Sequence, residues 1–443
     1  MLRFGTDGVR GDAEADLTTP VVSAFGRSVA QVLQPPRILI GTDTRASRAR
    51  IQAALSLSLS RDGVEVEALG VLPTPAIAFS AARAGTPALV VSASHNPWSD
   101  NGIKVIGPDG YKLPVDVEAA IERAGAEPSL QSVRAESHDF VADRESSDAY
   151  VAHLLGALEG RSLDGMRVVI DCANGAASTF GLRVFRDAGA EVFAIHDEPD
   201  GRNINADCGS THPESLQAEV RARGAALGLA LDGDADRVLA VDETGALVDG
   251  DQIMTMTALD MHERAALPAD TVVVTVMSNL GLRERLRAAG ITVLETPVGD
   301  RQVVAEMRAC GAGIGGEQSG HIVYAQYATT GDGLLTGLLV CDLVKRSGTP
   351  LSMLAAQMER WPQLLVNVRV STRVNLQDAP AIQDCVRAVE ADLGDAGRVL
   401  VRASGTEPLV RIMVEAHTQS VAEPALERLR SVVEAEFGSQ TGP

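Results

Sequence analysis

Short, unbroken runs of Val, Ile and Leu recur along the chain, and each ends in a turn followed by a helical pattern. RILIGTD (37–43) precedes a helix-like run near 48–61, and PALVVSAS (87–94) breaks into small polar residues. MRVVIDCANGA (166–176), ALGLALDGDADR (226–237) and DTVVVTVMSNLG (270–281) repeat the design. Strands that lack polar alternation must be covered on both faces, which requires α/β units. Three of them end in comparable turns, GTDTRAS, DCANGAAS and TVMSNLG, as though one α/β unit were repeated.

Polar interruptions divide these units. RAESHDFVADRESSD (134–148) is the first, ETGALVDGD (243–251) the second, and the stretch 345–365 the third. Beyond it LLVNVRVST (364–372), RVLVRAS (398–404) and LVRIMVEA (409–416) read as an antiparallel sheet, with helical patterns at 378–393 and 421–436. At 443 residues the chain is too long for one core. The expectation is therefore three tandem related α/β domains, 1–150, 151–250 and 251–365, and a C-terminal α+β domain, 366–443.

Bulk properties exclude several roles. Aromatic residues make up only 3%, which leaves little for base stacking, and a formal charge of −20 argues against a nucleic-acid binder. The most apolar stretch, GLLTGLLVCDLV, is short and carries Asp342, so a buried helix is expected and no membrane span. The start, MLRFGTDGVRGD, has no apolar core, and Asp7 and Asp12 speak against a signal peptide. Cys172, Cys208, Cys310, Cys341 and Cys385 are odd in number, scattered and without a CxxC pair. Neither a disulfide framework nor zinc is indicated, and a reducing cytoplasm is expected. The acidic balance is at odds with an anionic ligand, unless arginines cluster locally, since charges more than about 8 Å away are screened.

Four motifs carry candidate chemistry. In VVSASHNPWSDNGIKVIG (90–107), Ser94 is either a turn residue or a nucleophile. A Ser–His hydrolase is disfavoured, because adjacent His95 should not turn back on Ser94 and the GxSxG elbow is missing. A serine without an evident base can instead carry a phosphoryl group, given a metal and cationic neighbours. In LDGDADR, Asp232, Asp234 and Asp236 offer hard oxygen ligands suited to Mg²⁺. An EF-hand is excluded, since Arg237 stands where its glycine belongs and VLAVD continues as a strand. GIGGEQSGHI (313–322) is either a glycine-rich turn or a hydroxyl-binding loop using Glu317, Gln318 and Ser319, with His321 able to exchange protons. RASGTEPLVR sets Arg402, Ser404, Gly405, Thr406 and Arg411 in a tight loop that is either an incidental turn or a nest for a phosphate dianion.

Together with FGTDGVRG at the start, and in this order, these motifs resemble the α-D-phosphohexomutase superfamily along essentially the whole chain. GRNINADCGSTHPESL (201–216), TPVGDRQV (296–303) and GEQSGH, where neutral-sugar branches have GEMSGH, make the amino-sugar branch the most similar. The resemblance implies mixed sheets in three related α/β domains, plus the C-terminal domain, arranged around a central cleft. It implies interconversion of glucosamine 6-phosphate and glucosamine 1-phosphate through a 1,6-bisphosphate, in the cytoplasm, feeding UDP-N-acetylglucosamine and cell-wall precursors. Ser94 becomes the phosphoserine, and Asp232, Asp234 and Asp236, with an oxygen of phospho-Ser94, hold one Mg²⁺. Arg10 and Arg237 stabilise the phosphoryl group, and Lys104 assists proton transfer, a role that a lowered pKa permits. His321 takes an acid–base part, Asp300 and Arg301 select the sugar, and Glu317, Gln318 and Ser319 grip its hydroxyls. Arg402, Ser404, Gly405, Thr406 and Arg411 anchor the idle phosphate. A hexosamine or glucose 1,6-bisphosphate serves as activator. The expected partner is a small sugar phosphate, with no nucleic acid or membrane, and the chain a monomer or homodimer.

Overall fold

One strand order is built three times. The structure, a computed structural model, describes residues 2–5, 7–125, 144–370, 376, 379–403 and 408–437. The first sheet contains β1 (Val9–Asp12), β2 (Arg37–Thr42), β3 (Glu65–Val71), β4 (Ala88–Val91) and β5 (Asp100–Ile106), in the order β1-β5-β4-β2-β3. The second contains β6 (Arg167–Asp171), β7 (Glu191–Ile195), β8 (Leu227–Leu231), β9 (Val238–Asp242) and β10 (Leu247–Val248), in the order β10-β9-β8-β6-β7. The third contains β11 (Thr271–Thr275), β12 (Thr292–Thr296), β13 (Ile314–Gly316) and β14 (Ile322–Tyr324), in the order β12-β11-β13-β14.

In each sheet the first strand of the repeat pairs in parallel with the second on one side and the third on the other: β2 with β3 and β4, β6 with β7 and β8, β11 with β12 and β13. A fourth strand then pairs antiparallel with the third, as β5 on β4, β9 on β8 and β14 on β13. Every residue of β4, β8 and β11 is buried, which explains their unbroken apolar character. The connections between third and fourth strands are short, 92–99, 232–237 and 317–321. They hold the SASHNP, DGDADR and EQSGH motifs respectively. Three chemically unlike motifs thus occupy one topological position.

The chain separates into two compact units, 1–277 with 289–357, and 278–288 with 358–443. The second unit is built on β15 (Gln363–Arg369), β16 (Gly397–Ala403) and β17 (Leu409–Ala416), antiparallel in the order β15-β17-β16. Helices Pro380–Leu393 and Gln419–Phe437 pack on it, with Ile382, Val389, Leu429 and Val433 joining Val410, Ile412 and Val414 in one core. Helix Leu280–Ala288, which lies within the expected 251–365 domain, belongs to this unit. Leu280 N donates to Glu415 Oε1 at 2.7 Å, and Asn279 exchanges hydrogen bonds with the Trp361 backbone at 2.9 and 3.0 Å.

GLLTGLLVCDLV forms the front of helix Gly333–Ser347, with Leu334, Leu335, Leu338 and Cys341 buried. Among the described residues no helix is long and apolar enough to cross a membrane. Asp332 caps this helix by accepting from Leu335 N at 2.9 Å, and it accepts from Tyr150 Oη at 2.9 Å. Burial raises the Asp332 carboxyl from 3.8 to about 6. The folded form therefore holds its proton where the unfolded chain has lost it. That contribution is complete below about pH 4 and is lost as pH rises through 6, a change on the order of 3 kcal/mol. Denaturation of wild type and D332N across pH 4–7 should show wild type losing stability relative to the variant over that window and no further change above it. A pH-independent difference would refute the assignment.

Candidate active site

Ser94 sits one turn beyond β4 with its backbone in the left-handed region, φ +53°, and no exposed surface. Such a conformation costs a non-glycine residue roughly 1–2 kcal/mol and persists only where its surroundings over-determine it. The determinant is Arg45, a fully buried guanidinium. Its Nη2 donates to Ser94 O and Asn96 O at 2.9 and 2.8 Å, and its Nη1 to Asp100 O at 3.0 Å and to Pro97 O. Asp43 balances the charge, accepting from Arg45 Nε at 2.9 Å and from Ser92 Oγ at 2.7 Å, while Ser92 Oγ accepts from Ser94 N at 3.0 Å. From the second sheet, Asn205 Nδ2 donates to Ser94 O and Asn96 O at 2.9 and 3.0 Å. Gly233 lets the two loops touch, because a Cβ there would stand 2.6 Å from Ser94 O. None of Asp43, Arg45 and Asn205 was singled out by sequence. The available signal was a charged Asp-x-Arg pair immediately after an apolar strand, in GTDTRAS.

The side chain of Ser94 donates from Oγ to Asp232 Oδ2 at 2.5 Å. Asp232, Asp234 and Asp236 are buried, and each offers a carboxylate oxygen within 4.8 Å of the other two. Burial, reinforced by Asp236 and Asp234, pushes the Asp232 carboxyl well above the usual range. Asp234 Oδ1 and Asp236 Oδ1 are buried without any hydrogen-bond donor. Two buried carboxylate oxygens without partners are costly, and three carboxylates on short spacing fit a hard divalent cation such as Mg²⁺.

Opposite charge on the far side comes from Lys104. Its Nζ lies 2.9 Å from Asp234 Oδ2, 3.1 Å from Asp236 Oδ2 and 3.0 Å from Asp7 Oδ2. Burial alone would lower this amine, but the three carboxylates overcome it and hold the pKa well above normal. The lowered pKa that a proton-transfer role for Lys104 calls for is not what this charge environment gives, since the surrounding carboxylates favour the charged amine. Asp236 is also desolvated, yet Lys104, His321 and Arg237 together keep it ionised below its ordinary value.

A second correction concerns His95. The left-handed backbone at Ser94 does turn the imidazole back, bringing Nδ1 to 3.4 Å from Ser94 Oγ. Burial and the charges of Arg237 and Arg10 lower its pKa to about 4, so it is neutral near pH 7. Its contact is long beside the 2.5 Å bond to Asp232, which is the stronger partner. Arg10 is tied to Asp7 and, at 3.3 and 3.4 Å, to Ala93 O and Asn96 Oδ1. Arg10 Nε and Arg237 Nε are both buried without an acceptor. Such donors suit an incoming anion.

The third loop is fastened to the first sheet's domain. Lys112 Nζ reaches Asp7 Oδ1 at 2.5 Å and pairs with Asp300, and Arg301 Nη2 donates to Glu118 Oε1 at 2.5 Å. Asp300 and Arg301 are thereby engaged with protein partners, which sets the position of the VGDR loop. Glu317 Oε1 accepts from Gly299 N at 3.2 Å, Gln318 Nε2 is buried without an acceptor, and Ser319 is exposed. His321 Nε2 accepts from Gly331 N at 3.2 Å and lies 3.6 Å from Asp300 Oδ2.

Ser404, Gly405 and Thr406 lie outside the described residues. In the second unit Arg402 and Arg411 stand directly opposite on β16 and β17.

The Arg45 geometry yields a measurable consequence. R45M leaves Asp43 buried without its cation, and guanidinium denaturation should show a loss of about 3–5 kcal/mol. R45K restores the charge but cannot reach all four carbonyls, so it should recover much of the stability while kcat stays at least about tenfold low. Full activity in R45K would remove Arg45 as the loop's organiser.

Sequence profiles of the phosphoglucomutase/phosphomannomutase family match in four pieces: α/β/α domain I over 1–131, domain II over 148–245, domain III over 249–361 and the C-terminal domain over 365–431. The phosphoglucosamine mutase of Frankia alni is 50% identical, covering 98% of each chain, and that of Moorella thermoacetica is 50% identical, covering 97% of this chain and 98% of its own. The solved structure of a phosphoglucomutase/phosphomannomutase family protein from Burkholderia thailandensis superposes with a TM-score of 0.80 at 24% identity, covering 99% of this chain and 98% of that one. N-acetylphosphoglucosamine mutase from Aspergillus fumigatus, solved with GlcNAc-6P and magnesium, gives 0.71 at 20% identity, covering 99% and 96%. With all four domains matched and half the residues shared with named relatives, the chain belongs to the phosphoglucomutase/phosphomannomutase family, the α-D-phosphohexomutases, whose members are isomerases.

Proposed function

We propose that this enzyme interconverts glucosamine 6-phosphate and glucosamine 1-phosphate, with Ser94 as the phosphoryl carrier. The observation that carries the reading is the 2.5 Å bond from Ser94 Oγ to Asp232, in a buried triplet of carboxylates beside two arginine Nε donors that lack acceptors. A hydrolase would need a water nucleophile and a leaving alcohol. An isomerase needs instead a hydroxyl that can receive a phosphoryl group and return it. Relatives named phosphoglucosamine mutase at about half identity support the amino sugar as substrate.

In the first transfer the bond from phosphorus to Ser94 Oγ breaks as one to the sugar O1 forms. The O1 proton ends on Ser94 Oγ, where Asp232 accepts its hydrogen bond. The product, a 1,6-bisphosphate, then turns over. In the second transfer the phosphorus–O6 bond breaks as one to Ser94 Oγ forms, and O6 takes the proton that Ser94 Oγ gives up. No phosphate is gained or lost. Asp232, Asp234 and Asp236 would hold Mg²⁺, which when bound supplies charge neutralisation and alignment for in-line transfer. Arg10 and Arg237 direct donors at the moving group, while Lys104 holds Asp234 and Asp236 in place and limits their mutual repulsion. Glu317, Gln318 and Ser319 take the sugar hydroxyls in either orientation. Asp300 and Arg301 set the loop that discriminates the sugar, and the Arg402–Arg411 pair with Ser404, Gly405 and Thr406 takes the phosphate that is not reacting. A 1,6-bisphosphate restores the phosphoserine whenever it is lost, and the 1-phosphate product feeds UDP-N-acetylglucosamine and cell-wall precursors.

Two measurements test this. Incubation with glucose 1,6-bisphosphate should add one phosphate to Ser94 by mass spectrometry, and S94A should bind glucosamine 6-phosphate normally while losing turnover by at least about 10⁴-fold, the loss expected when a covalent carrier is removed. An S94A protein with undiminished turnover would end the carrier mechanism. Separately, kcat/KM for glucosamine 6-phosphate should exceed that for glucose 6-phosphate and mannose 6-phosphate. A preference for a neutral hexose would keep the chemistry and overturn the reading of the VGDR and GEQSGH loops.

A further inference from the structure

We propose that Asp171, His196 and Cys208 form a second metal site, one that takes a zinc-class ion and lies apart from the aspartate triplet. The three residues come from separate segments of the second sheet's domain: Asp171 ends β6, His196 follows β7, and Cys208 ends the loop that starts near Gly201. Parallel pairing sets Asp171 beside Ile195, which brings the next residue, His196, to its carboxylate. A sequence scan for CxxC spacing misses such a site, because no two ligands are close along the chain.

Each residue offers a ligand atom within 4.8 Å of the others. The Asp171 carboxylate is already oriented, with Oδ1 accepting from Ala173 N and Oδ2 from Gly209 N, both at 2.9 Å. Metal ligands are commonly held in this way by outer hydrogen bonds. His196 Nδ1 lies 2.9 Å from Asp171 Oδ2, whose carboxylate raises the imidazole pKa, and this buried nitrogen has no other partner. Neighbouring ligand atoms on a tetrahedral ion with bonds of about 2.0–2.2 Å stand about 3.4 Å apart, so this pair need separate by only roughly half an ångström to take one. Cys208 Sγ makes weak contacts with the Asn174 amide, at 3.9 Å, and with the Asn205 backbone.

Donor chemistry separates the two sites. Three oxygens in the triplet suit Mg²⁺, whereas a sulfur, nitrogen and oxygen set suits Zn²⁺ and leaves a fourth position for water. The partly exposed edge of His196 provides an entry route. Binding exchanges the thiol proton for the ion: Cys208–SH and M²⁺ give the thiolate complex and H⁺. Because Asn205, three residues before Cys208, holds Ser94 O and Asn96 O, an occupied site would also brace the Ser94 loop.

The full chain, treated with EDTA, reduced and kept in excess Mg²⁺ to occupy the triplet, should be titrated with Co²⁺. One equivalent should produce a thiolate-to-cobalt charge-transfer band in the near ultraviolet, erased by stoichiometric Zn²⁺. The band should vanish in C208S, weaken at least tenfold in affinity in H196A, and persist in D234N. Circular dichroism of each variant separates lost binding from lost folding, and H196A, at a partly exposed position, keeps the test open if C208S does not fold. Wild type without the band, or a band that survives in folded C208S, overturns the proposal.

Discussion

A buried ammonium ion holds the catalytic centre together. Lys104 Nζ stands within about 3 Å of carboxylates from Asp7, Asp234 and Asp236, which come from two motifs more than two hundred residues apart. Without it, the carboxylates gathered here would repel one another in a region too dry to screen them. Burial disfavours charge on every one of these groups, yet the ion pairs outweigh burial at Lys104, Asp7 and Asp236. Asp232 is the exception, lacking a direct cation, and it is the one that receives the Ser94 hydroxyl. The field thus sorts three of the carboxylates: Asp7 and Asp236, beside Lys104, are held as anions, while Asp232, facing Ser94, is the one pushed toward its protonated form.

The same arrangement reconciles an acidic chain with an anionic ligand. Arg10, Lys104, Lys112 and Arg237 are concentrated around the three loops, and their acidic partners compensate some of them without consuming every donor. A net charge of −20 spread over the surface is screened at that distance.

Much of this was legible in the sequence, for definite physical reasons. Strands buried on both faces carry an unmistakable apolar run, so β2, β4, β6, β8 and β11 stand close to where the pattern puts them. The aspartate triplet was legible because alternating acids after a strand have few other uses. What the sequence hid was the partnership between loops. Arg45 looks like any arginine in a polar turn until four carbonyls converge on it, and Asn205 is one of many loop amides until it meets Ser94 O. The behaviour of His95 and Lys104 was misjudged for a related reason. Local spacing says nothing of a left-handed backbone at Ser94, nor of three carboxylates delivered from elsewhere.

Because the centre is assembled from strand-to-strand connections in three successive sheets, it is also completed late in synthesis. Ser94 and Asp232 are separated by 138 positions. A ribosome adding about 5–20 residues per second needs on the order of ten seconds to make that interval. Until then the hydroxyl has no acid beside it, and the buried ammonium lacks two of its three anions. The first domain therefore emerges with Lys104 paired to Asp7 alone, a shortfall made good only when the second domain folds against it. The pairing of the Ser94 hydroxyl with an acid is in this sense a report on the folding of its neighbour, and no nascent fragment shorter than that can possess it.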